Sequence, residues 1–160
     1  MRVIVTGATS FIGSHAVQTL INQGFEVCAL IRPNSAGKKN LEQMIIKKEL
    51  LEITECELSG LKELAVNAEK LSKIGQKWSH DLGRADYWLH LGWDGSGSDN
   101  RKLADIQSMN AVYALDALET AAAAHCKRFL FCGSQAEYGV RNTTMRETDE
   151  LYPLSEYGKA

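Results

Sequence analysis

Short apolar runs alternate with longer amphipathic stretches along this chain. A continuous apolar run bounded by turn-forming residues is typical of a strand buried on both faces of a parallel sheet. Apolar residues at three- and four-residue spacing between these runs are typical of helices, and the longest helix is predicted over Leu103–Ala124. The alternation predicts an α/β fold, a doubly wound parallel sheet with helices on both faces. The predicted strands are Val3–Val5, Phe25–Ile31, Leu50–Cys56, Tyr87–Leu91 and Arg128–Cys132.

A glycine-containing turn links the first predicted strand to the first helix. It reads Thr6-Gly7-Ala8-Thr9-Ser10-Phe11-Ile12-Gly13. Gly7 allows a tight turn, and Gly13 lets the helix pack close to the sheet while backbone N–H groups face a pyrophosphate. Ser10 occupies the middle of the three positions that usually carry glycine, and its hydroxyl can itself donate to phosphate. We therefore predict a Rossmann-type dinucleotide site, the alternative being an ordinary strand–turn–helix. Its predicted ligands are Gly7, Thr9, Ser10, Phe11, Ile12 and Gly13.

The end of the second predicted strand bears on the choice of dinucleotide. About 20 residues after the glycine loop an Asp or Glu would bind the ribose 2′-hydroxyl of NAD, but this chain has Arg32-Pro33-Asn34-Ser35. Arg32, helped by Ser35 and Lys38, offers charge and donors suited to a 2′-phosphate. The sequence thus favours NADP over NAD as cofactor. The competing interpretation is a solvated surface charge.

Size and charge limit the classes of partner. At 160 residues the chain is predicted to form one domain over residues 1–160. A net charge of −2 with both signs interspersed argues against nucleic acid or a membrane surface as partner. No apolar run approaches the roughly 18 residues of a membrane span, and no signal-peptide core precedes the first turn. We therefore expect a cytoplasmic protein.

No metal site is predicted. The four cysteines are far apart and lie mostly in apolar runs, which indicates buried thiols rather than disulfides or a zinc site. The segment from Asp94 to Asp105 has the acidic and serine residues of a calcium loop. However, Asp99 stands where that loop needs glycine, and the segment follows a strand rather than a helix. A loop at the ligand-binding edge of the sheet is the better interpretation.

Two segments near the end of the sequence add candidate chemistry. The fifth predicted strand leads into Phe131-Cys132-Gly133-Ser134-Gln135-Ala136-Glu137-Tyr138-Gly139, and Tyr152-Pro153-Leu154-Ser155-Glu156-Tyr157-Gly158-Lys159-Ala160 follows. Together with the glycine loop and His90-Leu91-Gly92, these segments resemble the amino-terminal half of an extended short-chain dehydrogenase/reductase. The resemblance is to the NAD-dependent epimerase/dehydratase group, which modifies nucleotide-linked sugars.

The resemblance implies roles for particular residues. Ser134 would donate a hydrogen bond to the reacting oxygen of the substrate, and Tyr157 would be the general acid/base. Leu91 and Gly92 would flank the cofactor, and the pair Glu57-Leu58 occupies the place beside the adenine where the family usually has Asp.

Asn110 also matches an asparagine of the family. It lies on the otherwise apolar stripe of its helix, where a polar group needs a partner. Binding of the cofactor and a hydrogen bond to a neighbouring carbonyl are equally open as explanations.

The same resemblance sets the expected function. The chain would be truncated before the substrate-binding part, because the family's catalytic lysine would follow Ala160 directly, and Lys159 lies roughly 200° around the helix from Tyr157. The parent would be an NAD(P)-dependent epimerase or 4-keto reductase acting on a nucleotide-diphosphate sugar. Dehydration is disfavoured because Gln135-Ala136 replaces the usual Asp-Glu pair.

Two alternatives to an enzyme stay open. One is a non-catalytic NAD(P)-binding module, and the other is an inactive fragment. Apolar faces left uncovered by such a half would promote self-association, and a homodimer is the protein partner expected. Trp78, Trp88 and Trp93 are interpreted as core or rim aromatics rather than a sugar platform.

Overall fold

The strands form one parallel sheet in the computed structural model, which describes residues 1–64 and 85–160. Within these ranges the strand order is β3-β2-β1-β4-β5, and every neighbouring pair is parallel. The doubly wound α/β fold is therefore confirmed. The strands are β1 (Arg2–Thr6), β2 (Glu26–Ile31), β3 (Leu51–Glu55), β4 (Tyr87–His90) and β5 (Arg128–Phe131).

The helices follow the predicted periodicities. In the part of the chain described they are α1 (Phe11–Asn22), α2 (Lys38–Met44), α3 (Ala104–Ala123) and α4 (Glu156–Lys159). The long helix predicted over Leu103–Ala124 is α3 to within one residue at each end. Short 3₁₀ turns lie at Lys48–Leu50, Leu58–Gly60, Asn100–Lys102 and Gln135–Tyr138.

The sheet carries an apolar core on each face. Side chains alternate between the two faces along a strand, so Val3 and Val5 pack towards α1 whereas Ile4 packs towards α3. Val17 and Ile21 of α1 complete one core, and Ala117 and Ala121 of α3 complete the other. Fully burying one aliphatic side chain of this size contributes about 1.5–3 kcal/mol. This packing holds β1 at the centre of the sheet.

Trp88 is a core residue, as predicted. It is fully buried on β4, and its ring stacks on Phe129 at a centroid distance of 6.4 Å. Its indole N–H has no hydrogen-bond partner among the described residues. Trp78 lies outside the described residues. No helix in residues 1–64 or 85–160 is long and apolar enough to cross a membrane.

The strand order places the ligand-binding edge. From β1 the chain proceeds to β2 and β3 on one side, and β4 and β5 add on the other side. The crevice where the strand order reverses, at the carboxyl ends of β1 and β4, is the usual ligand site in open α/β sheets. The glycine loop and the segments after β4 and β5 all begin at this edge.

Candidate functional site

The glycine loop has the backbone geometry that its sequence predicts. Gly7 has φ +67°, and a Cβ there would lie 2.6 Å from the carbonyl oxygen of Leu91. A Cβ on Gly13 would collide with the carbonyl oxygen of Gly7. Both glycines are therefore required by close backbone approach, and Gly7 is also required by its left-handed conformation.

Ser10 acts first as the cap of α1. Its Oγ accepts a hydrogen bond from the backbone N–H of Gly13 at 3.0 Å, so that N–H is engaged within the protein. Its own hydroxyl hydrogen is still available to donate. Phe11 and Ile12 are 82% and 62% exposed, and their backbone N–H groups make no hydrogen bond within the described residues. Unpaired N–H groups at a helix N-terminus suit an anion.

A cleft of about 640 Å³ opens beside this helix terminus. Its volume lies within the range of about 300–1,000 Å³ that is usual for ligand sites. Its walls come from the glycine loop and from the segments that follow β2, β3, β4 and β5. The predicted cofactor residues that line it are Gly7, Thr9, Ser10, Phe11, Ile12, Arg32, Leu58, Leu91 and Gly92. Gly13, Glu57 and Asn110 are not among the lining residues described.

Arg32 lies exposed at one rim of the cleft, but its predicted helpers are engaged elsewhere. The Lys38 ammonium donates to Glu55 at 2.8 Å, and this hydrogen bond raises the pKa of Lys38. The hydroxyl of Ser35 lies 2.9 Å from that of Thr9. The carboxylate of Glu55 offsets the charge of Lys38, so Arg32 carries the remaining positive charge of this group.

Thr6 and His90 form the buried base of the cleft. The Thr6 hydroxyl oxygen accepts from the backbone N–H of Leu91 at 3.2 Å and of Gly92 at 3.1 Å. It also lies 2.9 Å from Nδ1 of His90. With its acceptor positions taken, Thr6 donates to Nδ1, so His90 is neutral and carries its proton on Nε2. Burial lowers the pKa of His90 to about 4. This pair fixes the Leu91–Gly92 segment against Gly7.

Sequence reasoning missed the role of Thr6. The available signal was a hydroxyl residue at the end of a buried strand with a histidine at the end of another. The structure pairs Thr6 with His90 in the β1–β4 register.

Ser134 lies in a second cavity, of about 310 Å³. It caps the turn Gln135–Tyr138, where its Oγ accepts from the N–H of Ala136 at 3.2 Å. Its own N–H donates to the carboxylate of Glu137 at 2.6 Å. The hydroxyl therefore acts as acceptor towards the protein, which leaves its hydrogen to donate to a bound oxygen.

Tyr157 lines the same cavity from α4. Ser155 caps this short helix by accepting from the N–H of Gly158 at 3.1 Å. Gly158 is buried, and a Cβ there would lie 2.5 Å from the carbonyl oxygen of Ala136. This close approach places α4 against the turn that carries Ser134. The structure thus brings the two predicted catalytic side chains to one cavity.

Lys159 lines the same cavity. Its ammonium is paired with Glu156 of its own helix at 2.7 Å. That Lys159 cannot replace the family's lysine stays a prediction.

Asn110 anchors a loop. Its Oδ1 accepts from the backbone N–H of Asp94 at 2.7 Å, and its Nδ2 donates to the carbonyl oxygen of Asp94 at 2.9 Å. The expected need for a partner is thus met by neighbouring backbone. Gln107, one turn earlier on α3, holds the same loop and was missed. Two amide side chains three residues apart on one stripe were the signal that could have found it.

The prediction of buried thiols is confirmed for Cys28 and is wrong for exposed Cys132. Cys28 is buried, Cys56 and Cys126 are half-buried, and Cys132 is exposed. Cys132 follows the exposed end of β5 and lines both cavities. Burial raises the pKa of each of the first three thiols to about 11. Within residues 1–64 and 85–160 no group of His, Cys, Asp and Glu is arranged to hold a metal ion.

Known proteins share this fold. The chain superposes on the UDP-Glc/GlcNAc 4-epimerase of Campylobacter jejuni with a TM-score of 0.77 and 21% identity, covering 99% of this chain and 45% of the other. It superposes on the UDP-glucose-4-epimerase of Stenotrophomonas maltophila, solved with bound NAD, with a TM-score of 0.76 and 19% identity, covering 99% and 45%.

Sequence relatives agree with the fold. The chain is 26% identical to a UDP-glucose 4-epimerase of Pisum sativum over 162 residues, covering 99% of this chain and 44% of the relative. It is 24% identical to that of Yersinia enterocolitica over 157 residues, covering 98% and 41%. The chain therefore spans less than half the length of these relatives. The model of the NAD dependent epimerase/dehydratase family matches residues 3–160, and the chain belongs to that family.

Proposed function

We propose that residues 1–160 form the dinucleotide-binding domain of an enzyme that interconverts nucleotide-diphosphate sugars by hydride transfer. The observation that carries this proposal is the junction of the two cavities. Tyr157 lines both the cleft beside the glycine loop and the cavity that contains Ser134. A group that exchanges a proton with a sugar hydroxyl has to lie where cofactor and substrate meet.

The cleft fits a dinucleotide. The unpaired N–H groups of Phe11 and Ile12 and the hydroxyl of Ser10 offer donors for a pyrophosphate at the start of α1. Leu91 and Gly92, held by Thr6, line the same cleft as Tyr157. A nicotinamide dinucleotide held in this cleft would supply hydride transfer to and from a sugar carbon.

The chain's own residues manage the proton. Oxidation of a sugar hydroxyl to a ketone breaks the C–H bond as a hydride loss and the O–H bond as a proton loss. In this proposal Ser134 donates a hydrogen bond to the reacting oxygen, and the phenol oxygen of Tyr157 takes the proton. The proton returns to the substrate when the ketone is reduced.

Epimerisation or 4-keto reduction fits the sequence better than dehydration. Gln135 and Ala136 supply no acid beside Ser134, and the carboxylate of Glu137 binds the N–H of Ser134. The Pisum and Yersinia relatives are UDP-glucose 4-epimerases, which favours a uridine-diphosphate sugar as substrate.

Arg32 favours NADP within this proposal. It follows β2 at the rim of the cleft, where a 2′-phosphate would lie. NAD bound in a relative such as the Stenotrophomonas enzyme keeps NAD as the alternative. Arg32→Ala is expected to weaken NADPH binding about tenfold, the scale of one lost charge-assisted hydrogen bond, and to leave NADH binding unchanged.

Self-association is a further part of the proposal. Met109, Val112, Leu115 and Leu118 on α3 are 42–61% exposed. Together they give α3 a broad exposed apolar surface, which suits a second copy of the chain. Light scattering should show that the unsubstituted chain is a dimer and that Leu115→Lys is a monomer. A monomeric unsubstituted chain would contradict self-association.

The first experiment is a parallel titration of the chain with NADPH and NADH, followed by energy transfer from tryptophan. Conversion of UDP-glucose to its 4-epimer is then measured in the enzyme of which residues 1–160 are proposed to form a domain. Tyr157→Phe should abolish conversion and leave cofactor binding intact, whereas the matched Tyr152→Phe should change neither. Cofactor binding without conversion would favour a binding module, and absence of both in a folded protein would overturn the proposal.

A further inference from the structure

The loop after β4 encloses the ring of Tyr157 from two directions. Trp93 meets it edge-on, with centroids 5.4 Å apart and an interplanar angle of 75°. The guanidinium carbon of Arg101 lies over the face of the same ring, 4.7 Å from its centroid. We call Trp93 and Arg101 the clamp. Neither residue belongs to the Ser134–Tyr157 pair that the proposed function uses.

Each arm of the clamp has its own anchor. The indole N–H of Trp93 donates to Oε1 of Gln107 at 2.9 Å, and Nε of Arg101 donates to the carbonyl oxygen of Ser96 at 2.8 Å. Gln107 is only 1% exposed. Its Nε2 also donates to the carbonyl oxygens of Gly95 and Asn100, at 3.0 and 2.9 Å. The loop after β4 is thus anchored to α3, and α3 packs against the core on one face of the sheet.

The position of the Tyr157 ring matters for the proposed function. A group that exchanges a proton has to hold its oxygen within hydrogen-bond reach of the substrate, and small misplacements reduce rate strongly. The loop fixed to α3 contacts this ring at its edge through Trp93 and on one face through Arg101.

We propose that Arg101 and Trp93 are positioning residues that hold the ring of Tyr157 at the junction of the two cavities. The planar guanidinium suits this contact because it stacks on an aromatic face while its Nε stays bound to Ser96. The consequence for turnover rests on the proposed function, whereas the contact itself does not.

Hydroxyl-radical footprinting with mass spectrometry tests the contact, because oxidation of a tyrosine follows the exposure of its ring. Tyr152, which is 65% exposed, serves as the internal reference. Arg101→Gln should raise the oxidation of Tyr157 relative to Tyr152 about twofold or more, by uncovering one ring face. The matched Lys102→Gln, which removes an exposed charge one residue later, should leave that ratio unchanged. An unchanged ratio in both Arg101→Gln and Trp93→Leu would overturn the proposal.

Turnover supplies the second readout. Arg101→Gln should lower kcat about two- to fivefold, the equivalent of one exposed cation–aromatic contact, with the KM for the dinucleotide unchanged. Arg101→Lys should recover part of the loss because it keeps the charge. An equal rise in KM and fall in kcat would indicate general loosening and would contradict a positioning role. Turnover is measured in the enzyme of which residues 1–160 are proposed to form a domain. If that enzyme shows no turnover, the proposed function fails, and footprinting alone still decides the clamp.

Discussion

The β1–α1–β2 unit and the segment from β5 to α4 are held in place by different forces. Val3 to Thr6 of β1 are buried, with a strand on each side and an apolar core on each face. On β5, Leu130 and Phe131 are 49% and 46% exposed. The Ser134 turn and α4 beyond it are fixed by hydroxyl caps, by one close backbone contact and by the contacts of Trp93 and Arg101 with Tyr157. The dinucleotide half depends on a buried apolar core, whereas the catalytic half depends on a few individual contacts.

This difference predicts that changes in the first unit affect stability and binding together. Gly7→Val has the largest expected effect, because it places a Cβ in a left-handed conformation and against the carbonyl of Leu91. Strain and overpacking together should cost roughly 3 kcal/mol of unfolding free energy. Urea denaturation and the NADPH titration measure both effects. Gly97→Ala, at an open position, is the control, and normal stability in Gly7→Val would break the comparison.

The buried base of the cleft predicts a pH dependence of stability. Burial lowers the pKa of His90 from 6.5 to about 4, so between these values the unfolded chain binds a proton that the folded chain does not. Above pH 6.5 His90 is neutral in both states and does not change the free energy of unfolding. As the pH drops from 6.5 towards 4, the free energy of unfolding falls by up to about 3 kcal/mol. Protonation would also remove the acceptor for the Thr6 hydroxyl.

Denaturation midpoints at pH 7 and pH 4.5 measure this effect. His90→Phe should flatten the pH dependence, while His125→Asn, at an exposed histidine, should leave it as in the parent. If the unsubstituted chain and His90→Phe lose equal stability between pH 7 and pH 4.5, other groups control the acid transition.

The catalytic half is expected to respond in the opposite way. Gly158→Ala would push α4 away from Ala136 and should cost about 1–2 kcal/mol of stability, since one methyl group must be accommodated. Its larger effect should be on turnover, with NADPH binding unchanged. A loss of binding equal to the loss of turnover would remove the distinction between the two halves.

The sequence predicted what depends on local pattern. The strands, the long helix and the apolar residues of both cores follow from apolar periodicity, and the turn at Gly7 follows from backbone sterics. Ser134 and Tyr157 share a cavity, which agrees with the paired roles that the family resemblance implies. The contacts that depend on loop paths could not be predicted. Neither the pairing of Lys38 with Glu55 nor the position of Arg101 over Tyr157 leaves a periodic signal, because each joins segments whose separation only the folded chain sets.

Asn110 illustrates the boundary between the two kinds of inference. Its place on an apolar stripe predicted that the amide needed a partner. The partner itself, the backbone of Asp94, depends on how the loop after β4 folds back over α3.

The four thiols differ in burial, so one of them can be labelled selectively to detect ligand binding. Cys28, Cys56 and Cys126 are held protonated near neutral pH by burial, which raises the pKa of each to about 11. Cys132 is exposed where the two cavities join. A limiting amount of a fluorescent maleimide should therefore attach at Cys132 first, without any engineered cysteine. Its brightness would then register the arrival of a ligand in either cavity, and bound ligand would slow the labelling.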